Sequence, residues 1–141
     1  MRCDTHAVNP ATQACPELDD ACAQWHRLAR AEGDAIRVGD WAALEAAQNG
    51  LAQLQPRMTR SLRVAREHWV ALGAEQAGVE SQLQARVRPL LELANENAAL
   101  LRQARLTLQM QLGQSRQVAR TLGRLRASYA PPGPAAWTSF S

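Results

Sequence analysis

Apolar side chains recur at steps of three and four residues along most of the chain, which is the spacing that places them on one face of an α-helix. The first stripe follows Pro16 and reaches Ile36. It begins beside acidic residues that suit the positive end of a helix dipole, and proline is favoured in a first helical turn. Gly39 then predicts a helix end, and Asp40 predicts the N-cap of a new helix.

A second stripe begins at Trp41 and continues to Leu72. Pro56 lies inside it, lacks an amide proton and disfavours helix at the preceding residue, so we expect a kink or a restart there. An interruption is also expected at residues 33–34 of the first helix, because glycine weakens helices. The tryptophans of both stripes, including Trp69, are expected to pack in a core otherwise made of Ala and Leu.

The strongest helical pattern runs from Glu80 to Ser128, with Pro89 as its only breaker. Pro89 could lie at a kink or in the first turn of a separate helix. Its seam continues for about five heptads, more than the three or four that make such a pattern meaningful. The seam residues are Leu90, Leu93, Asn97, Leu101, Ala104, Leu108, Leu112 or Gln111, Ser115, Val118 or Ala119, Leu122 and Leu125. A helix of about forty residues would be roughly 60 Å long, so it must pack against the other helices or against another chain.

These patterns predict an all-α protein, an elongated antiparallel helical hairpin or bundle of three to four helices with a long C-terminal helix. Composition agrees, because 27 Ala, 18 Leu, 16 Arg and 13 Gln supply 74 of the 141 residues, and residues suited to sheets are few. We expect residues 1–15 to be a flexible N-terminus and residues 16–128 to be a single helical domain. Residues 129–141 are expected to be a flexible proline-rich tail.

Charge is distributed unevenly along the chain. Residues 1–50 carry eight acids and four arginines, a net charge of −4. Residues 51–96 carry five acids and six arginines, which gives +1, and residues 97–141 carry no acid and six arginines, which gives +6. The acidic front could attract the basic back in an antiparallel packing, or the basic back could meet an acidic partner.

The sequence contains no recognisable catalytic or metal-binding constellation. Its eight glycines form no phosphate-binding loop, and its three histidines are isolated. Cys3, Cys15 and Cys22 match no zinc-ligand spacing and are interpreted as reduced, unpaired thiols whose role stays open. We therefore expect no enzyme, no cofactor and no metal. The start of the chain lacks a secretory signal, and no apolar stretch could span a membrane, so we expect a cytoplasmic protein.

Two segments resemble a known protein family. Residues 88–101, RPLLELANENAALL, combine a leucine-flanked Asn-x-Asn with a Leu-Leu pair, and they resemble the C-terminal helix of the FlgN-type flagellar export chaperones. Residues 35–45, AIRVGDWAALE, are similar to the same family and to the related FliT-type chaperones. The resemblance covers about residues 17–130. Its motif residues in the long C-terminal helix are Asn95, Asn97 and Leu100.

The resemblance implies a cytoplasmic chaperone of type III flagellar secretion that is not an ATPase. FlgN-type members bind hook–filament junction proteins through their C-terminal helical region, keep them monomeric and deliver them to the export apparatus. FliT-type members bind the filament cap protein instead. A client's amphipathic helix would dock on the seam, and the flanking arginines would orient it. The candidate contacts are Leu101, Leu108, Leu112, Val118, Leu122 and Leu125.

Other interpretations of the same seam remain open. It could form a homodimeric coiled coil with a structural role. Its residues could instead contact the first helices of their own chain, an alternative that weighs most for Leu90–Leu101 and least towards Leu112–Leu125. The basic end could bind nucleic acid, but its arginines have the spacing of a solvated helix face and no binding motif accompanies them. We expect no nucleic-acid partner and no insertion into a membrane.

Overall fold

The structure is a computed structural model that describes residues 15–129, and it is all-helical over that range. Helix α1 spans Pro16–Val38, α2 spans Trp41–Ala71 and α3 spans Gln76–Tyr129. No strand is present between residues 15 and 129. The prediction of an all-α protein with a long last helix is confirmed, and the number of helices is three. The predictions for residues 1–14 and 130–141, which include Cys3, lie outside the described residues.

The turn between α1 and α2 follows the predicted chemistry. Gly39 has a φ of 73°, in the left-handed region that favours glycine, and the Asp40 amide donates to the Ala35 carbonyl at 3.0 Å. The Asp40 carboxylate accepts a 3.0 Å hydrogen bond from the Ala43 amide and so caps α2. The turn between α2 and α3 contains a second left-handed glycine, Gly73, with a φ of 88°.

Three expected interruptions do not divide the helices. Pro56 lies inside α2, which is continuous from Trp41 to Ala71, and Pro89 lies inside α3. Residues 33–34 lie inside α1. Each proline removes one backbone hydrogen bond. The buried side chains on both sides of Pro56, Leu54 and Met58, keep α2 in place against its neighbours.

Side-chain contacts within residues 16–101 define the direction of each helix. Arg57 of α2 donates to Asp20 at 2.5 Å and to Gln24 at 3.0 Å in α1. Gln48, earlier in α2, donates to Glu32, later in α1, at 3.4 Å, so α1 and α2 are antiparallel. In α3 the residue numbers rise in the same direction as in α1, because Arg86 contacts Asp19 and the later Asn97 contacts the later Ala29. Therefore α3 runs parallel to α1 and antiparallel to α2.

Trp69 is the largest side chain in the core and is fully buried. The core cluster consists of Leu18, Ala21, Met58, Ala65, Trp69, Ala74, Val79, Leu83 and Leu90. Trp25 is half-buried against this cluster. Trp41 is 44% exposed, so the expectation that it packs in the core is wrong. It is the first residue of α2, beside the turn, where neighbouring helices provide no cover.

The described residues divide into two units, one that ends at Leu101 and one that begins at Arg102. The sequence predicted one helical domain over residues 16–128. The three-helix core described above belongs to the first unit. The second unit contains the remaining described residues of α3, to Tyr129.

Candidate partner-binding surface on the third helix

The core-facing stripe of α3 consists of residues three, four or seven positions apart. Val79, Leu83, Leu90 and Asn97 are its buried members. Leu100 and Leu101 follow and are half-buried. Leu90 belongs to the core cluster, so for this seam residue the alternative that it contacts the first helices of its own chain is correct.

Asn97 is the one polar residue of this stripe and is 2% exposed. Its Nδ2 donates to the Ala29 carbonyl of α1 at 2.6 Å and lies 3.5 Å from Glu32 Oε2. A side-chain donor to a main-chain carbonyl on another helix is satisfied in one register only, so Asn97 fixes the position of α3 along α1. Asn97 was identified from the sequence as a motif residue, but its role in fixing the position of α3 along α1 was not predicted. Asn95, the other asparagine of the motif, is exposed.

Gly33 allows Asn97 to approach α1 this closely. A Cβ atom at residue 33 would lie 2.6 Å from Asn97 Oδ1, which is closer than two such atoms can be. The Oδ1 atom is buried without a hydrogen-bond partner and faces the glycine. From the sequence, Gly33 was expected only to weaken α1. In the structure, the absence of a side chain at Gly33 leaves the space that Asn97 occupies.

Beyond Ala104 the environment of α3 changes completely, because every residue from Arg105 to Tyr129 is exposed. Among the predicted contacts, Leu108 is 42% exposed, Leu112 is 56% exposed and Val118 is 57% exposed. Leu122 and Leu125 are 52% and 48% exposed. The five apolar residues therefore share an exposed face of the helix.

A shallow recess marks the middle of this exposed seam. Small side chains at Ser115 and Ala119 leave space between larger neighbours. The recess is lined by Gln111, Gln114, Ser115, Val118, Ala119 and Leu122. In helix–helix packing, a space of this kind receives a side chain from the facing helix.

The acidic front of the chain pairs with the middle of the chain. Asp20 pairs with Arg57, and Asp19 pairs with Arg86, whose guanidinium lies 5.3 Å from the centre of the Trp69 ring. Among the ion pairs between described residues, none involves an arginine after Arg88. The acidic residues Asp19 and Asp20 are therefore paired with arginines of the middle of the chain.

Among residues 102–128, two exposed apolar residues lie away from the predicted seam. Leu106 is 61% exposed and Met110 is 67% exposed. They are four residues apart, so they share a face of α3, and that face is different from the one that carries Leu108 and Leu112. Leu106 and Met110 are not among the predicted contact residues, because they fall outside the heptad spacing of the seam.

Residues 15–129 hold no cluster of His, Cys, Asp or Glu that could bind a metal ion. Cys15 and Cys22 form no disulfide with each other. Burial raises the pKa of the Cys22 thiol, and the nearby Arg86 opposes that rise only in part. A raised pKa keeps the thiol protonated and poorly nucleophilic at neutral pH. Within the described range, none of the three helices combines the length and apolar character of a membrane-crossing helix.

Comparison of the chain with known protein families, with curated proteins and with solved structures gives no match. The exposed seam of α3 is thus the feature on which a functional proposal has to rest.

Proposed function

We propose that the chain is an interaction protein that binds an amphipathic helix of another protein along the exposed seam of α3. One observation carries this proposal: the seam residues from Leu108 to Leu125 are all exposed, although they continue the heptad spacing of buried core residues. Amphipathic helices commonly bind apolar helical surfaces through side chains at such spacings. An apolar stripe left open on a helix is a recognised mark of an interaction site.

We further propose that the partner is a client of type III flagellar secretion, and that the chain is its cytoplasmic export chaperone. The resemblance of residues 88–101 and 35–45 to FlgN-type chaperones supports this choice. The client would be a hook–filament junction protein. Its terminal helix would be kept from premature assembly while it lies on the seam, which includes half-buried Leu101 at one end.

Co-expression with hook–filament junction proteins tests the proposal. A stoichiometric complex is expected, and Leu112→Asp with Leu122→Asp should weaken it by at least about a hundredfold, because two charges would enter the apolar contact. Leu106→Asp with Met110→Asp is the matched control, since it adds the same charges to exposed positions on another face of the helix. The control should change affinity by less than about threefold.

Three outcomes would contradict the proposal. The first is the absence of binding to any hook, junction or cap subunit. The second is equal weakening by the two double substitutions while helicity by circular dichroism is retained. The third is a tight homodimer in sedimentation with the seam protected, which would support the structural coiled coil. Binding to the filament cap protein alone would replace the junction client with the FliT-type client.

A further inference from the structure

The two edges of the exposed seam differ in chemistry, and this difference describes the partner. One edge is formed by residues that are seven positions apart along α3. They are Thr107, Gln114, Thr121 and Ser128. Their place in the heptad is the one that Val79, Arg86, Leu93 and Leu100 occupy in the core segment, where they are buried or half-buried. An edge that is apolar in the first segment, apart from Arg86, therefore becomes an uncharged polar edge in the second.

The hydroxyl groups of this polar edge are already satisfied by their own helix. Thr107 donates to the Gln103 carbonyl at 3.1 Å, and Thr121 donates to the Gln117 carbonyl at 3.0 Å. Ser128 donates to the Arg124 carbonyl at 3.0 Å. A hydroxyl that donates to a carbonyl four residues back has no proton left for a partner and can only accept, so this edge offers no charge and little apolar area.

The opposite edge is cationic. Arg105 and Arg126 hold the heptad position of Leu112, at the margin of the apolar stripe away from Thr107 and Thr121, and each lies four residues after a seam leucine, Leu101 or Leu122. Arg102 and Arg116 lie one further step around the helix on the same side. No acidic residue occurs between residues 97 and 141, so these guanidinium groups have no partner within this stretch of helix.

We propose that the seam of residues 101–125 receives a single amphipathic helix from another protein, with Asp and Glu along one edge of its apolar stripe and uncharged residues along the other. One helix is inferred because the edge that is mostly apolar in the core segment, where α3 packs against two helices, is polar beyond Ala104, so the apolar stripe is narrower there. Acidic residues are inferred from the unpaired arginines on one edge. This inference rests on the proposed function and specifies the partner's chemistry.

A second copy of this chain fits the surface less well than an acidic helix does. Each copy would bring six arginines and no acid to the contact over residues 97–141. In an antiparallel pair, Arg105 of one copy would face Arg126 of the other, and like charges placed opposite each other oppose association.

The test uses the full chain and three designed helical peptides with the same apolar stripe. One edge of the peptide carries Glu, Gln or Lys, and the other edge carries Gln throughout. Fluorescence anisotropy at low salt should show that the Glu peptide binds about tenfold more tightly than the Gln peptide, and that the Lys peptide binds most weakly. The preference for Glu should decrease as salt is added.

A pair of matched double substitutions locates the effect on the chain. Arg105→Gln with Arg126→Gln should remove most of the preference for the Glu peptide. Arg120→Gln with Arg124→Gln removes the same net charge from positions further from the apolar stripe. This variant should keep most of the preference for the Glu peptide. Glutamine forms helix about as well as arginine does, so neither variant should unfold α3.

Equal effects of the two variants, or equal binding of the Glu and Gln peptides, would overturn the acidic-edge inference. If a flagellar client still binds the seam in that case, the proposed function stands without this inference. If the Glu peptide binds as predicted but no flagellar subunit does, the inference stands and the flagellar assignment fails. A tight homodimer that excludes every peptide would overturn the single acidic helix as occupant.

Discussion

Helix α3 contains two segments with the same apolar spacing and opposite environments. In the segment before residue 101, Leu83 and Leu90 are buried under two other helices. In the segment after it, Leu108 and Leu122 occupy the same kind of stripe and are 42% and 52% exposed. A heptad pattern therefore predicts that a face will be covered, but the rest of the chain decides whether the cover comes from within the molecule.

The largest expected effect is a difference in the free energy of unfolding between a substitution in the core and one in the exposed segment. Trp69→Ala should lower the free energy of unfolding by about 3–5 kcal/mol, because it removes a fully buried aromatic ring from the core. Leu122→Ala, on the exposed segment, should change it by less than about 0.5 kcal/mol. Urea denaturation of both variants measures the difference. A loss of several kcal/mol at Leu122 would mean that the seam is already covered in the isolated chain.

Glycine substitutions give a second contrast, in which even the sign should differ. Gly33→Ala should destabilise the core by about 1–3 kcal/mol, because the new Cβ would collide with Asn97 Oδ1. Gly113→Ala meets no atom within 4 Å and should stabilise the helix by about 0.5–1 kcal/mol. Thermal unfolding followed by circular dichroism compares the two.

The double variant Gly33→Ala with Asn97→Ala isolates the contact behind the first of these effects. If the collision causes the loss, Asn97→Ala should cost less in the Gly33→Ala background than in the wild type. Additive losses would show that Gly33 and Asn97 act independently and that the collision with Asn97 Oδ1 does not cause the loss.

The smallest expected effect concerns the ion pairs of the core unit. Asp20→Asn breaks a pair with Arg57 whose side chains are about half exposed, so it should lower the free energy of unfolding by less than about 1 kcal/mol. Added salt should reduce the difference between wild type and variant. A loss comparable to that of Trp69→Ala would show that the helices are held by charge more than by apolar burial.

Local sequence chemistry was sufficient for the helices, the Gly39 turn, the Asp40 cap and the position of the seam. It was not sufficient where the outcome depends on distant residues. Pro56 is tolerated inside α2 because buried neighbours hold the helix, and Trp41 is exposed because no other helix reaches it. The contact between Gly33 and Asn97 joins residues that are far apart in the chain, so no periodicity could reveal it.

The candidate site was predictable in part for the same reason. The apolar face of residues 101–125 follows from spacing alone. Its exposure does not, since it depends on what the rest of the chain covers. The difference between the two edges of this face becomes visible only when the arginines are placed around the helix together with the hydroxyl groups that donate to carbonyls of α3 itself.

Amide hydrogen exchange, measured by mass spectrometry on the full chain with and without a bound client, tests the central claim most directly. In the free chain, residues 105–129 should exchange at least about a hundredfold faster than the core residues of α1 and α2, because they make no buried contacts. A bound client should slow exchange selectively in residues 105–129. Protection of these residues in the free chain equal to that of the core, at a concentration where the chain is monomeric, would contradict the account.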